Sequence, residues 1–273
     1  MTKVSVIIPT MLGREELLRK LLSTVPPEYE TIVVDDKDLL LAAKRNKGAR
    51  QATGEYLLFI DDDNYLESGA IHWMLEKFGK EIGVMGMVAC YQDKKMLVAD
   101  GGSMRSFVTG FTRGRYTNTQ IRKMPEAVYD VDEVANAFMV RREVFQDAGG
   151  FDEENFPIDL DEADLCKRIK DMGYRIVMNP KAICYHRSIT YSPVPDFRRA
   201  SNAYFLPRNK LNHQRKHLNA ISYWMHVIVF LPVHFCIYTT ALLWRKKFSL
   251  IPPYIRGTWD GLRGRRENKY QPR

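Results

Sequence analysis

Short, uniformly apolar runs alternate with helical periods through the first two thirds of this chain. Val4-Ser5-Val6-Ile7-Ile8 is rich in β-branched residues and closes on Pro9-Thr10, the pattern of a buried parallel strand. From Gly13 to Thr24 the apolar residues Leu17, Leu18, Leu21 and Leu22 follow a helical period. Thr31-Ile32-Val33-Val34 predicts a second buried strand ending in Asp35-Asp36. Leu39 to Ala52 predicts a helix, with Gly54 as its stop. Tyr56-Leu57-Leu58-Phe59-Ile60 predicts a third strand, ending in Asp61-Asp62-Asp63-Asn64. Three βα units with polar residues at each strand's C-terminal end predict a doubly wound sheet with its ligand crevice at that edge.

Further along, Ser68 is the expected cap of a helix to about Phe78, and Gly83 to Ala89 reads as an apolar strand. Residues 91–134 are mixed, with Gly101-Gly102, Gly110 and Gly114 marking mobile loops. Phe138-Met139-Val140 predicts a short strand, and Arg141 to Ala148 a helix stopped by Gly149-Gly150. Glu162 to Met172 predicts a helix with Leu165, Ile169 and Met172 inward, and Arg175 to Met178 a final strand. There is no internal repeat. The N-terminal Met1-Thr2-Lys3 leads straight into a strand, so no signal peptide is expected.

Ile221 to Trp244 breaks this rhythm, with 24 residues and no Asp, Glu, Lys or Arg. About 20 such residues suffice to span a bilayer. Pro232 interrupts the run, His226 and His234 flank it, and both ends are basic: Arg215-Lys216 before, Arg245-Lys246-Lys247 after. The positive-inside rule therefore assigns no orientation. The preferred expectation is a bent, in-plane or re-entrant membrane segment with both flanks on the cytoplasmic face. One transmembrane crossing within 221–244 is the alternative, and a buried core helix the third reading.

Charge sharpens this division. The net charge of +8 conceals 15 Lys/Arg against 2 Asp/Glu from Arg198 to Arg273, leaving 26 against 31 in residues 1–197. An acidic body with a basic, apolar tail is not the footprint of a nucleic-acid-binding protein, and suits docking on an anionic membrane surface. Two domains are expected: residues 1–197, and a C-terminal membrane-associated extension over 198–273. Cys90, Cys166, Cys184 and Cys236 lack CxxC spacing, which argues against a zinc ribbon or disulfide framework and fits a reducing compartment.

The candidate chemistry is carboxylate-rich. Three consecutive aspartates at the end of a buried strand repel one another unless a cation sits among them. In an extended segment Asp61 and Asp63 would project to one side toward one Mg²⁺ or Mn²⁺, with Asp62 facing elsewhere. A solvated acidic turn is the bland alternative. Asp36 can accept a nucleobase N–H or cap a helix. Asp159-Leu160-Asp161-Glu162-Ala163-Asp164 carries more carboxylates than capping requires, so one of them is a candidate general base. His186, after the last strand, is a metal ligand or a satisfied structural histidine.

Together these stretches resemble family 2 glycosyltransferases of the GT-A fold. The match runs through Val4–Thr10, Ile32–Asp36, Asn46–Asp63, Phe138–Asp152, Asp161–Gly173 and Asn179-Pro180…His186, over about residues 3–187. The resemblance implies a mixed, mainly parallel α/β sheet flanked by helices, and inverting transfer from a nucleoside-diphosphate sugar. By position it assigns Asp36 to the base, Pro9 and Thr10 beneath the nucleoside, and Asp62 beside the ribose. It assigns Asp61 and Asp63, with His186, to Mn²⁺ or Mg²⁺, and Arg45 to the donor. The family's Glu-Asp-x-Asp base motif reads Asp161-Glu162-Ala163-Asp164 here, so Glu162 aligns with the base and Asp161 stays a candidate. Arg208-Asn209 and Ile255–Leu262 loosely resemble the tails of membrane-associated, rhamnosyltransferase-like members that use polyprenyl-linked glycans. The expected acceptor is thus a lipid-linked glycan or polysaccharide precursor. Two rivals are a sugar-phosphate nucleotidyltransferase, which would want a Gly-rich basic loop where Pro9–Arg14 stands, and a non-catalytic membrane-docked nucleotide- or glycan-binding module.

Overall fold

The computed structural model describes residues 3–94, 96–186 and 200–266. They form two compact units. The first comprises residues 1–104, 113–151 and 162–191, and the second residues 105–112, 152–161 and 192–273. The boundary expected at 197/198 lies outside the described residues.

The first unit is an α/β sandwich, with elements in the order β1 (Val4–Pro9), α1 (Glu15–Leu22), β2 (Glu30–Val34), α2 (Leu41–Gln51), β3 (Tyr56–Ile60), β4 (Asn64–Leu66), α3 (Ala70–Lys77) and β5 (Ile82–Tyr91). Short strands β6 (Val98–Asp100), β7 (Ser103–Arg105), β8 (Thr112–Gly114) and β9 (Tyr129–Asp130) follow. Then come β10 (Ala137–Arg141), α4 (Arg142–Asp147), α5 (Asp161–Asp171) and β11 (Arg175–His186). The main sheet runs β2-β1-β3-β10-β5-β11-β4, with β6 beside β5 and β9 beside β11. β1 pairs in parallel with β2 and β3, and β5 with β11, whereas β10 runs antiparallel between β3 and β5.

Strand alternation divides the core between the two faces. Ile7, Leu57, Phe59, Phe138 and Val140 pack on one face with Ala42, Leu165 and Ile169 from α2 and α5. Val6, Ile8, Leu58, Ile60 and Met139 pack on the other with Leu21, Ile71 and Met74 from α1 and α3. Strands buried on both faces read as continuous apolar runs, which is why β1 and β3 were legible.

Four expectations change. Met172, expected inward on α5, lies just past its end and is exposed. Ser68 caps nothing; Gly69, left-handed at φ 79°, occupies the cap of α3 without a side-chain bond. Gly54 is not a helix cap but abuts Ser5, where a Cβ would collide with the Ser5 backbone. The final strand continues well past Met178 to His186, with a bulge between Asn179 and Ile183 that accommodates Pro180, which has no N–H to donate.

In the second unit, α6 (Ala200–His217) packs against α9 (Ile251–Leu262), and between them run α7 (Ala220–Met225), a π-helical turn (His226–Phe230) and α8 (Leu231–Trp244). The π turn directly precedes Pro232, whose missing N–H breaks the regular ladder. His226 Nδ1 lies 2.9 Å from the Val108 carbonyl and His234 Nε2 2.8 Å from that of Thr109. The two histidines that looked out of place in an apolar run therefore grip the loop 105–112, together with Gln214, which donates to the Phe107 carbonyl at 2.5 Å.

α6 and α9 approach closely because α9 presents Gly257 and Gly261 one turn apart. A Cβ at Gly257 would overlap the Tyr204 carbonyl, and one at Gly261 would press on the Arg208 backbone. Gly257→Ala should therefore destabilise the fold by about 1–3 kcal/mol, as overpacking does. Denaturant unfolding would register it as a lowered midpoint, and an unchanged midpoint would mean that the helices separate freely.

Candidate functional site

The C-terminal ends of β1, β2 and β3 and the first turn of α5 bring the acidic positions of the first unit together. Ala137 pairs with Ile60 across β10 and β3, and the Asp61 N–H donates to the Asn136 carbonyl at 2.9 Å. His186 pairs with Asn64 across β11 and β4, which sets the imidazole beside Asp63.

Asp61 to Asp63 is not the extended segment expected from period two. It is a tight turn, closed by the Asn64 N–H donating to the Asp61 carbonyl at 3.0 Å. Asp61 therefore parts from Asp62 and Asp63, which share Arg14. Asp61 Oδ1 accepts from Arg45 Nη2 at 2.7 Å. Asp62 accepts from Thr10 Oγ1 at 2.7 Å and pairs with Arg14 at 2.8 Å. Asp63 pairs with Arg14 at 2.6 Å and lies 3.4 Å from His186 Nε2.

Arg45 is the organising cation. It is fully buried on α2, close to the Phe138 and Phe151 rings, and its Nη1 contacts Glu162 Oε1 at 2.7 Å. One guanidinium thus joins the tip of β3 to the candidate base on α5. Burial pushes the Asp61 carboxyl up to about 6, with Glu162 and Asp63 adding to the rise and Arg45 opposing it. Against the penalty of burial, His186 and Arg14 hold the Asp63 carboxyl down at about 2.

The donor-binding candidates form a second cluster in the same unit. Lys47 Nζ meets Asp36 at 2.8 Å, and this contact, with the Asp38 N–H, lowers the Asp36 carboxyl's pKa. Pro9 ends β1, and the buried Lys44 donates to the Thr10 carbonyl at 2.6 Å. Asp161 is buried at the start of α5. Asp164 is tied to Arg168 at 2.8 Å, so this carboxylate of the acidic stretch serves structure.

Arg14, Lys44 and Asp100 escaped the sequence reading. Arg14 was legible only as part of a loop with too few glycines for a phosphate loop. Asp100 precedes Gly101-Gly102, read as mobile; its carboxyl accepts the Gly102 N–H at 2.8 Å and Asn136 Nδ2 at 3.3 Å. Burial raises its pKa, the Gly102 N–H opposes the rise and Glu162 reinforces it.

Two carboxylates and one imidazole are donors that suit Mn²⁺ or Mg²⁺. Glu162 and Asp63 add to the rise that burial imposes on Asp61, and a divalent cation would offset their negative charge. The donors do not converge as they stand: among the described residues no three acidic, histidine or cysteine side chains are grouped to hold a metal ion.

The family model described as "Glycosyltransferase like family 2" matches residues 15–217. The chain belongs to this family. Solved structures of similar fold include GalNAc-T7 with UDP, GalNAc and Mn²⁺, at TM-score 0.60 and 13% identity over 79% of this chain and 48% of that one. Staphylococcus aureus TarS 1–349 with UDP-GlcNAc is similar at TM-score 0.57 and 15% identity, over 96% and 81% of the two chains. The mannosyltransferase PcManGT of Pyrobaculum calidifontis, with GDP-Man and Mn²⁺, gives 0.51 and 15%, over 95% and 87%. They establish the expected GT-A fold: a mixed, mainly parallel sheet flanked by helices, followed here by an apolar C-terminal helix. A curated relative, the uncharacterised protein y4gI of Sinorhizobium fredii, is 24% identical over 167 residues, covering 57% of this chain but only 18% of its own length.

Removing the Arg45 guanidinium would leave Asp61 and Glu162 facing each other without their shared cation. Arg45→Leu should cost about 3–5 kcal/mol, the range for breaking a buried ion pair by deleting one partner. Chemical denaturation would measure it, and a loss below about 1 kcal/mol would show that water replaces the guanidinium easily.

Proposed function

We propose that the protein is a metal-dependent, inverting glycosyltransferase that moves a hexosyl group from a nucleoside-diphosphate sugar to a hydroxyl of a lipid-linked glycan or polysaccharide precursor. The observation that carries this reading is the Asp61–Arg45–Glu162 bridge, which joins the candidate base Glu162 to the acidic turn. A single displacement needs one base and no carboxylate nucleophile on the sugar's other face. The UDP-sugar, GDP-Man and Mn²⁺ ligands of the similar structures support a nucleotide-sugar donor and a divalent cation.

Asp61, Asp63 and His186 would hold the cation. When bound, Mn²⁺ or Mg²⁺ supplies Lewis-acid stabilisation of charge on the departing diphosphate. Asp36 accepts a nucleobase N–H, over a floor made by Pro9 and Thr10, and Asp62 accepts from the ribose hydroxyls. Glu162 takes the acceptor hydroxyl's proton as its oxygen bonds to the anomeric carbon, while the bond from that carbon to the diphosphate oxygen breaks and its electron pair leaves with the phosphate. Asp161, one residue earlier, supports the first turn of α5. Arg14 and Arg45 keep the acidic turn charged and ordered.

The second unit attaches this chemistry to the cytoplasmic face of a membrane. The continuous helix Ala220–Trp244 is long and apolar enough to cross a bilayer, and only 11% of its most apolar stretch is buried, unlike a core helix. Ile221, Trp224, Ile228, Val229, Val233 and Trp244 are exposed. Its other side carries His226 and His234, which hold the irregular backbone of 105–112. Such backbone is poorly tolerated at the bilayer centre, so the helix lies in the interface. Arg245, Lys246 and Lys247 then meet anionic headgroups.

Incubation with UDP-GlcNAc, UDP-GalNAc and GDP-mannose, with and without Mn²⁺, tests the chemistry. Glu162→Gln should lower kcat by about 10²–10⁴-fold, the usual worth of general base catalysis. Asp63→Ala should abolish metal-dependent turnover, whereas Asp62→Ala should mainly raise the donor KM. No turnover of any donor, or a Glu162→Gln variant as fast as the wild type, would sink the proposal.

Sedimentation with vesicles tests the attachment. Binding should be stronger to phosphatidylglycerol-containing than to pure phosphatidylcholine vesicles, weaken with salt, and drop severalfold in Trp224→Ser/Ile228→Ser. Protein that stays in the supernatant with both vesicle types would refute it.

A further inference from the structure

Two consecutive residues without glycine's freedom, Asp159 at φ 63° and Leu160 at φ 67°, are left-handed directly before α5. Left-handed backbone is disfavoured for L-residues and persists where surrounding contacts over-determine it. One buried side chain supplies two such contacts. Asn209 on α6 is fully buried and donates both hydrogens of its amide, to the Ile158 carbonyl at 2.6 Å and to the Asp159 carbonyl at 2.9 Å. Its Oδ1 accepts from Arg208 Nε at 3.0 Å, and Arg208 Nη2 donates to the Asn155 carbonyl at 2.7 Å. Arg208 is itself fully buried, with Gly261 of α9 against its backbone. At the start of the same segment Lys216 holds Asp152 at 2.7 Å.

We infer that Asn209 is a positioning residue for Glu162: by bonding both carbonyls of the left-handed corner it fixes the backbone from which the first turn of α5 begins. Asparagine fits this task because its amide offers two donors in one plane, and aspartate of the same shape offers none. Glu162 is the second residue of α5, three positions beyond Asp159, so a rotation of the corner is carried directly into its carboxylate. Displacements of about 1 Å cost rate without removing any reacting group. The inference rests on the reading of Glu162 as base.

The test compares Asn209→Ala, Asn209→Ser, Glu162→Gln and the combined Asn209→Ala/Glu162→Gln in Mn²⁺-dependent hydrolysis of the nucleotide sugar turned over in the donor panel. Hydrogen exchange is followed over residues 155–165. Asn209→Ala should lower kcat by about 10- to 100-fold with donor KM unchanged, and speed exchange over 158–164 specifically. Asn209→Ser, which keeps one donor, should fall between, and it replaces the alanine variant if that does not fold. In the Glu162→Gln background Asn209→Ala should remove little further rate, because the group it positions is already disabled. An unchanged kcat, unchanged exchange over 158–164, or losses that multiply in the double variant would each overturn the inference. A Glu162→Gln variant with full rate would instead overturn the base assignment itself.

Discussion

The acidic turn depends on a cation that water never reaches. Arg45 is sealed between aromatic rings, and its two terminal nitrogens meet Asp61 and Glu162. A buried guanidinium is tolerable only when its donors are matched, so α2, the tip of β3 and the first turn of α5 are bound to one another by charge as well as by packing. The planar fork of arginine makes this possible, since a lysine could not hold two carboxylates in fixed directions. Glu162 is therefore defined by its neighbours before any substrate arrives.

Much of the fold was legible because its strands are buried on both faces. Val4–Pro9 and Tyr56–Ile60 show almost no polar interruption, and runs so short and so apolar suit the centre of a sheet better than a helix or a loop. The reversed direction of β10 was not legible, because a short apolar run such as Phe138-Met139-Val140 carries no sign of orientation. β11 was cut short because Pro180 reads as a strand breaker, whereas a bulge absorbs it.

The site was legible in its residue types and less so in its geometry. Asp61, Asp63 and His186 were picked out by position, yet the turn at Asp61–Asp63 sends the carboxylates to separate partners. Period-two reasoning assumes an extended chain, and three adjacent charges at a strand end favour divergence instead. Arg14, in a short loop, and Asp100, at the end of the three-residue strand β6, stayed hidden because partners of each in space are far away in sequence. Lys44 was hidden differently: a lysine inside a helical pattern reads as surface, while this one is buried under the Thr10 carbonyl.

The interleaving of the two units bears on how such an enzyme can be shortened. Loop 105–112 and segment 152–161 lie within the sequence span of the first unit, yet their packing partners lie in α6 to α8. Phe156 is fully buried, with its ring 5.9 Å from that of His213. Cutting the chain after the last strand would not release a free-standing catalytic domain. It would uncover an aromatic core and unlatch two loops, so the basic helical tail is a scaffold for segments that lie earlier in the chain.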